Sequence, residues 1–314
     1  MRRWIGCLLT VGLIALMTSS VLAQPLDNPK LPEFGEVTAL EEVADDLEAL
    51  WRESPELFWQ IEQIRRGVDQ WYETTPHRPM NTARPLIALG DEALLPMLWA
   101  LVGQDPLELG MDLRAWRAWR VGLLEAVGRL RAAESVPTVL AILESSDPHD
   151  RVHRTAASAV GRVGDPQAIE AVIDIARRDA PKRAAIVAGL GDARRLVALE
   201  YLLEVAGDDD QVGLHPVAAR AMGDWANQMA WRTPGRAPYL SEWEKGRHLV
   251  IDHLVAAYPE AHHGLQVEIQ KSLQLAGAAL SREQALQRAA QAADEDHAQS
   301  WQELADLMAR SRLN

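Results

Sequence analysis

The feature that most constrains this chain is a corner that keeps returning. Residues 159–169 read AVGRVGDPQAI, where Gly164-Asp165-Pro166 separates two apolar runs of small residues. Gly128-Arg129-Leu130 and Ala133-Glu134-Ser135-Val136 align with Gly161-Arg162-Val163 and Pro166-Gln167-Ala168-Ile169 at an offset of 33. Ile186, Val187, Leu190, Gly191, Asp192 and Leu196 match Ala159, Val160, Val163, Gly164, Asp165 and Ile169 at an offset of 27. Ala218–Gly223 echoes Ala156–Gly161, and Leu89–Pro96 carries the same break upstream. A phrase that returns at periods of roughly 20–50 residues marks a repeat architecture.

Each copy reads as two helices. Val152, Ala156, Ala159, Val160 and Val163 fall on one face at helical spacing. Gly164 suits the left-handed conformation at a helix C-terminus. Asp165 can cap the next helix, and Pro166 fits its first turn, where a missing N–H costs nothing. Ile169, Val172, Ile173 and Ala176 make the second apolar face. The alanines beside the corner (Ala156, Ala157, Ala159, Ala184, Ala185, Ala218, Ala219, Ala221) let helices approach closely. A pair with so little apolar bulk must stack on its neighbours, which predicts an all-α fold, an α-solenoid with helical caps at both ends.

The segment DRVHRTAASAVGRVGDPQAIEAVIDIARRD, residues 150–179, resembles HEAT-like repeats of the phycobilisome-lyase type. That family shows an Arg-rich helix start, an Ala-Ala pair, a Gly, then Gly-Asp-Pro and a second helix. The likeness extends to 120–145 and 182–206, and more weakly to 84–102 and 215–231. It implies an α-solenoid that holds other proteins. No catalytic motif of the family maps onto this chain, so bilin-lyase activity is not carried over.

The flanks read differently. Arg2 and Arg3, the apolar run 4–17 and the small-residue end Val21-Leu22-Ala23 have the order of a secretory signal peptide over residues 1–23. The apolar run is shorter than the roughly 20 residues a bilayer span needs. Residues 24–83 read as an N-terminal helical cap and linker, with a capping box at Thr38/Glu41, a Ser54-Pro55 helix start and a helical face of Leu57, Phe58, Ile61, Ile64, Val68 and Trp71. The repeat array spans 84–231. After the Pro- and Gly-rich break at 232–240, the C-terminal region 232–314 is expected to hold helices near 242–257, 260–277 and 281–310, the first opened by a Ser241/Glu244 capping box.

Composition narrows the function. Cys7, the single cysteine, lies inside the signal, so the processed chain has no disulfide, thiolate metal site or cysteine nucleophile. The net charge is −13. A sequence-independent grip on nucleic acid needs a basic surface, so nucleic acid is not an expected partner. Gly-x-Ser-x-Gly and Gly-rich phosphate loops are absent from the sequence.

Four features invite a functional reading. His149 and His153 are four apart, but no third metal ligand is fixed and surface histidines in an inter-repeat loop are the plainer reading. His262-His263 with Glu260 and Glu268 could bind a metal, although adjacent helical histidines point apart. Asp208-Asp209-Asp210 lacks the alternating ligands of a calcium loop and reads as a solvated turn. The eleven tryptophans beside two phenylalanines are the most unusual feature of composition. Tryptophan and arginine are favoured at binding hot spots. Candidate protein-binding residues are therefore Arg114, Trp116, Arg117, Trp119, Arg120, Trp225, Trp231 and Trp243, with core packing and Trp–Arg stacking as the competing reading. No catalytic, cofactor or metal residue is assigned.

The function expected from all this is non-enzymatic protein binding or scaffolding in a bacterial periplasm or outside the cell. The acidic surface would steer a partner carrying a basic patch. The alternatives are a lyase-like enzyme with a site on the concave face, lined by His153, His215 and carboxylates of successive repeats, and an envelope component that self-assembles end to end.

Overall fold

The computed structural model describes residues 44–75, 80–102, 110–231 and 239–311, all within one unit, Phe34–Asn314. The signal segment, the Thr38/Glu41 capping box and most of the 232–240 break lie outside the described residues. The described residues form fifteen α-helices and no strand. The first four are α1 (Ala44–Glu53), α2 (Pro55–Thr74), α3 (Ala83–Ile87) and α4 (Leu94–Val102). Helices α5 (Leu113–Leu130), α6 (Val136–Glu144), α7 (Asp150–Val163), α8 (Pro166–Arg178), α9 (Ala180–Leu190) and α10 (Leu196–Ala206) make the centre. The chain ends with α11 (His215–Ala226), α12 (Gln228–Trp231), α13 (Leu240–Ala257), α14 (His263–Gln291) and α15 (Glu295–Ala309).

The helices stack in two layers. The first helix of each pair packs on the first helix of the next, in the order α3, α5, α7, α9, α11 and then α14. The second helices α4, α6, α8, α10 and α13 form the other layer in the same order. Each pair touches its sequence neighbours, as an α-solenoid of HEAT-like pairs requires.

The corner at 164–166 forms as its residues dictate. Gly164 ends α7 at φ +83°, and the Asp165 carboxylate accepts the backbone N–H of Ala168 at 3.1 Å. Pro166 opens α8. The other copies solve the turn differently. Gly191 is right-handed, and the positive φ moves to Arg194 at +43°. At the end of α5 it falls on Arg131, at +57°.

Glycine has a second use, at the seams of the first-helix layer. A Cβ on Gly128 would sit 2.7 Å from the Cα of Ala159, joining α5 to α7. On Gly189 it would meet the carbonyl oxygen of Arg154 at 2.4 Å, joining α9 to α7. On Gly223 it would meet Ser272 at 2.5 Å, joining α11 to α14. Backbones approach this closely only where one side lacks a Cβ. The second-helix layer relies instead on larger side chains, among them Val139, Ile142, Ile169, Val172, Ile173, Leu199 and Leu202, all buried.

The C-terminal helices close the stack. Arg247 crosses from α13 to donate to the carbonyl of Ala276, and Trp301 of α15 donates to the carbonyl of Val255 at 2.7 Å. Leu304, Ala305 and Met308 are buried, whereas Gln299, Gln302, Glu303 and Asp306 are exposed. That polar outer face suits a terminal cap rather than an end-to-end contact.

Three local expectations need correction. Ser54 precedes Pro55 at the start of α2, but its hydroxyl makes no cap bond. The Ser241/Glu244 capping box does not form, because α13 starts at Leu240. Glu242 serves another helix instead: its carboxylate accepts the N–H of Leu196, the start of α10, at 2.9 Å and pairs with Arg195 at 3.1 Å. Finally, the break expected near 278–280 is a kink inside α14 at Gly277, φ +136°, and the true end comes at Ala292. Ser281 donates to the carbonyls of Leu273 and Gly277, holding the chain across the kink.

Candidate functional site

A groove of about 970 Å³ runs along the first-helix layer, lined by α5, α7, α9, α11 and α14. Its shape follows from the small residues on α9. Ala184, Ala185, Ala188 and Gly189 put almost no side chain into the middle of the layer, while arginines and carboxylates rise on either side. Arg151, Arg154, Arg162 and Arg220 supply the cations, and Glu125, Asp150, Asp192, Asp224 and Glu268 the anions.

One part of this lining is fixed by an ion network. Asp192 accepts from the Ser158 hydroxyl at 2.5 Å and from Arg162 at 2.9 Å, and Arg194 lies 3.7 Å away. Burial alone would raise the Asp192 carboxyl. Arg162, Ser158 and Arg194 outweigh it, so this group titrates below the ordinary aspartate range. Arg194, buried beneath the groove, is pushed down to about 10 by desolvation and still carries its charge at neutral pH.

The rest of the lining is less committed. Arg151 and Arg154 make no ion pair among the described residues, and Arg220 reaches Glu268 only at 3.8 Å. Asp224 titrates above its ordinary range, first because it is desolvated and second because Asp192 is close. Charges held short of full pairing in a groove are available to a ligand.

The residues singled out in the sequence lie elsewhere. Trp116, Trp119, Trp225 and Trp231 are buried, so these four rings offer a partner no surface. Trp225 donates to the carbonyl of Arg195 and stacks edge-on against Trp231, with ring centres 5.1 Å apart. Trp231 in turn donates to the carbonyl of Trp225. Trp243 is half-buried and lies under the guanidinium of Arg247. Arg120 sits over Trp116 and pairs with Asp147, Arg117 reaches His149 at 3.1 Å, and only Arg114 is exposed.

The histidines also separate. His149 sits at the N-cap position of α7, half-buried. His153 is not a surface histidine: it is 2% exposed, because its helical position places it beside Ala156, Ala157 and Val160 on the packed face. Neither ring nitrogen of His153 has a hydrogen-bond partner. His262 caps α14 by accepting the N–H of Leu265, and Glu268 pairs with Lys271. Asp208 accepts the N–H of Asp210, and its carbonyl lies 3.0 Å from His215. Neither His153 nor His215 lines the groove. No cluster of three His, Asp or Glu residues suited to a metal occurs among the described residues.

His153 makes stability depend on pH. Desolvation, then the nearby Lys182, hold its pKa below the ordinary histidine value of 6.5. A depressed folded-state pKa contributes stability above the unfolded value that is lost as pH falls through the folded one. Unfolding free energy should therefore fall between pH 7 and pH 5. His153→Leu should flatten that slope and raise stability at pH 7 by about 1 kcal/mol, since it removes unsatisfied buried polar atoms. Denaturant melts of both proteins at pH 7 and pH 5 check this, and parallel losses would show that the slope arises elsewhere.

Comparison with known proteins agrees with the geometry over the centre of the array. Residues 117–191 match the family of HEAT repeats, which covers α6, α7, α8 and α9 whole and most of α5. The curated proteins contain no match to the chain. No helix among the described residues is long and apolar enough to cross a membrane.

Proposed function

We propose that a HEAT-like array of this kind acts as a non-enzymatic scaffold, holding a protein partner in the groove of its first-helix layer. HEAT repeats fit such a role, and here a single observation supports it: five successive helices line one hollow whose cations are not all paired internally. The floor of alanine and glycine leaves room for a segment of chain. Arg151, Arg154 and Arg220 can meet its carboxylates or carbonyls, and Glu125 and Asp224 its cations.

The likeness to the phycobilisome-lyase type of repeat rests on residues 150–179, and only the holding of other proteins is carried over from it. The signal-like residues 1–23 support export to a bacterial periplasm or the outside. The net charge of −13 favours partners with a basic patch and speeds their approach at low salt.

The test is affinity capture from cell-envelope extracts with the processed chain and with Arg151→Glu/Arg154→Glu. Both substitutions are at groove positions without ion pairs, so the melting temperature should hold. Proteins retained by the parent should be depleted at least tenfold by the double variant, and their retention should weaken as salt rises. An unchanged capture profile, or one indifferent to salt, would rule the groove out.

A further inference from the structure

A second hollow, of about 530 Å³, lies away from the groove. Leu50 of α1, Leu57 of α2 and Leu94 and Leu95 at the start of α4 make its apolar lining. Asp46, Asp91, Glu92 and Glu134 stand around it, and no lysine or arginine lines it. All four carboxylates are exposed. None forms an ion pair among the described residues, although Arg residues of the same chain neutralise many other acids. Each sits near the start of a helix or a 3-10 turn, where a carboxylate is locally favourable. Local stability does not account for their convergence on one leucine-lined hollow.

We propose that this cleft docks a basic amphipathic helix of a partner protein, leucine side in and lysine or arginine side out. The four leucines are only partly buried, so covering them removes apolar surface from water. The occupant's charge is set by the rim: an acidic or neutral segment would bring no counter-charge to four carboxylates, whereas a basic one meets them all. The acidic N-terminal stretch Glu36–Glu42 of this chain is a poor occupant for the same reason. The proposal rests on the partner-binding reading but not on the groove. A scaffold with both sites would grip one partner at two places, or two partners at once.

The experiment uses three synthetic 18-residue peptides and the intact chain, with binding read by fluorescence anisotropy of the labelled peptide. The first peptide places leucine on one helical face and lysine on the other. The second has the same composition, scrambled to abolish the face, and the third carries glutamate for lysine. The first peptide should bind at least tenfold more tightly than either control. Asp91→Lys/Glu92→Lys should weaken it at least tenfold, and so should Leu57→Gln, which keeps the rim charges. Arg151→Glu/Arg154→Glu should leave it unchanged, which separates failure of the groove from failure of the cleft. Equal binding of the scrambled peptide, insensitivity to the rim or leucine substitutions, loss on the groove substitution, or no binding of the first peptide would each overturn the proposal.

Discussion

Gly189→Ala should destabilise the protein by about 2 kcal/mol, although alanine is the better helix former. In an unconstrained helix interior the exchange gains about 1 kcal/mol. At Gly189 the new methyl would lie 2.4 Å from the carbonyl oxygen of Arg154 and 2.7 Å from the Cβ of Ala157. The first is backbone and cannot rotate away, so α9 must move off α7. Overpacking of this sort costs about 1–3 kcal/mol, and the shift propagates along a layer in which every helix leans on the next. Gly67→Ala is the contrast. Nothing lies within 4 Å of a Cβ there, in the middle of α2. It should stabilise by roughly 0.5–1 kcal/mol. Denaturant melts of the two variants should therefore move in opposite directions. If both stabilise, the first-helix layer is not packed as closely as described.

Trp225→Ala should cost about 3–5 kcal/mol, the usual range for removing a buried large aromatic. The ring is fully buried, bonded to the Arg195 carbonyl at 3.1 Å and stacked on Trp231. It also fills the space against Gly246, where a Cβ would sit 2.2 Å from the ring. Trp225 thereby ties α11 to both α10 and α13. Trp225→Phe should lose less, because one aromatic ring still fills part of the space, although the fused second ring and the N–H bond go. Trp59→Ala, at a site 48% exposed, should cost under about 1 kcal/mol. Equal losses at 225 and 59 would show that burial is not what gives tryptophan its weight here. The comparison also guards binding experiments, since a partner lost on Trp225→Ala reports a loosened fold before it reports a lost contact.

What could be read from the chain follows from the range over which each residue acts. Gly164, Asp165 and Pro166 act within one turn of chain, and their roles are visible in three letters. The apolar faces of α7 and α8 are set by helical spacing, which is equally local. Glu242 could not be read that way. It sits between Ser241 and Glu244, whose spacing fits a cap of their own helix, but its carboxylate serves the start of α10, forty-six residues earlier. Gly277 breaks the helical angles without ending the helix, because Ser281 and the packing of α14 carry the chain across. His153 was disguised by its type: an imidazole reads as polar, while its position two turns before Val160 on α7 places it inside.

The site was less legible than the fold. The tryptophans drew attention because they are rare and large, yet those same properties make them the core of a stack built mostly from alanine. The groove depends on Arg151, Arg154, Ala188, Asp192 and Asp224, which look ordinary in the sequence and meet only when successive helices align. The signal in the sequence is the alanines of 184–188 beside charged residues one repeat away on either side.

The central claim is that helix pairs are stacked in line, each packing chiefly on its neighbours. In a background with Cys7 replaced, cysteine pairs at 144/178 and 177/204 span the exposed Arg178–Glu144 and Arg177–Glu204 contacts between successive second helices. The pair 144/204 skips the intervening helix. A short bis-maleimide should link the first two pairs efficiently and leave the third unlinked. Efficient linking of 144 to 204, or none at the neighbouring pairs, would contradict a stacked array.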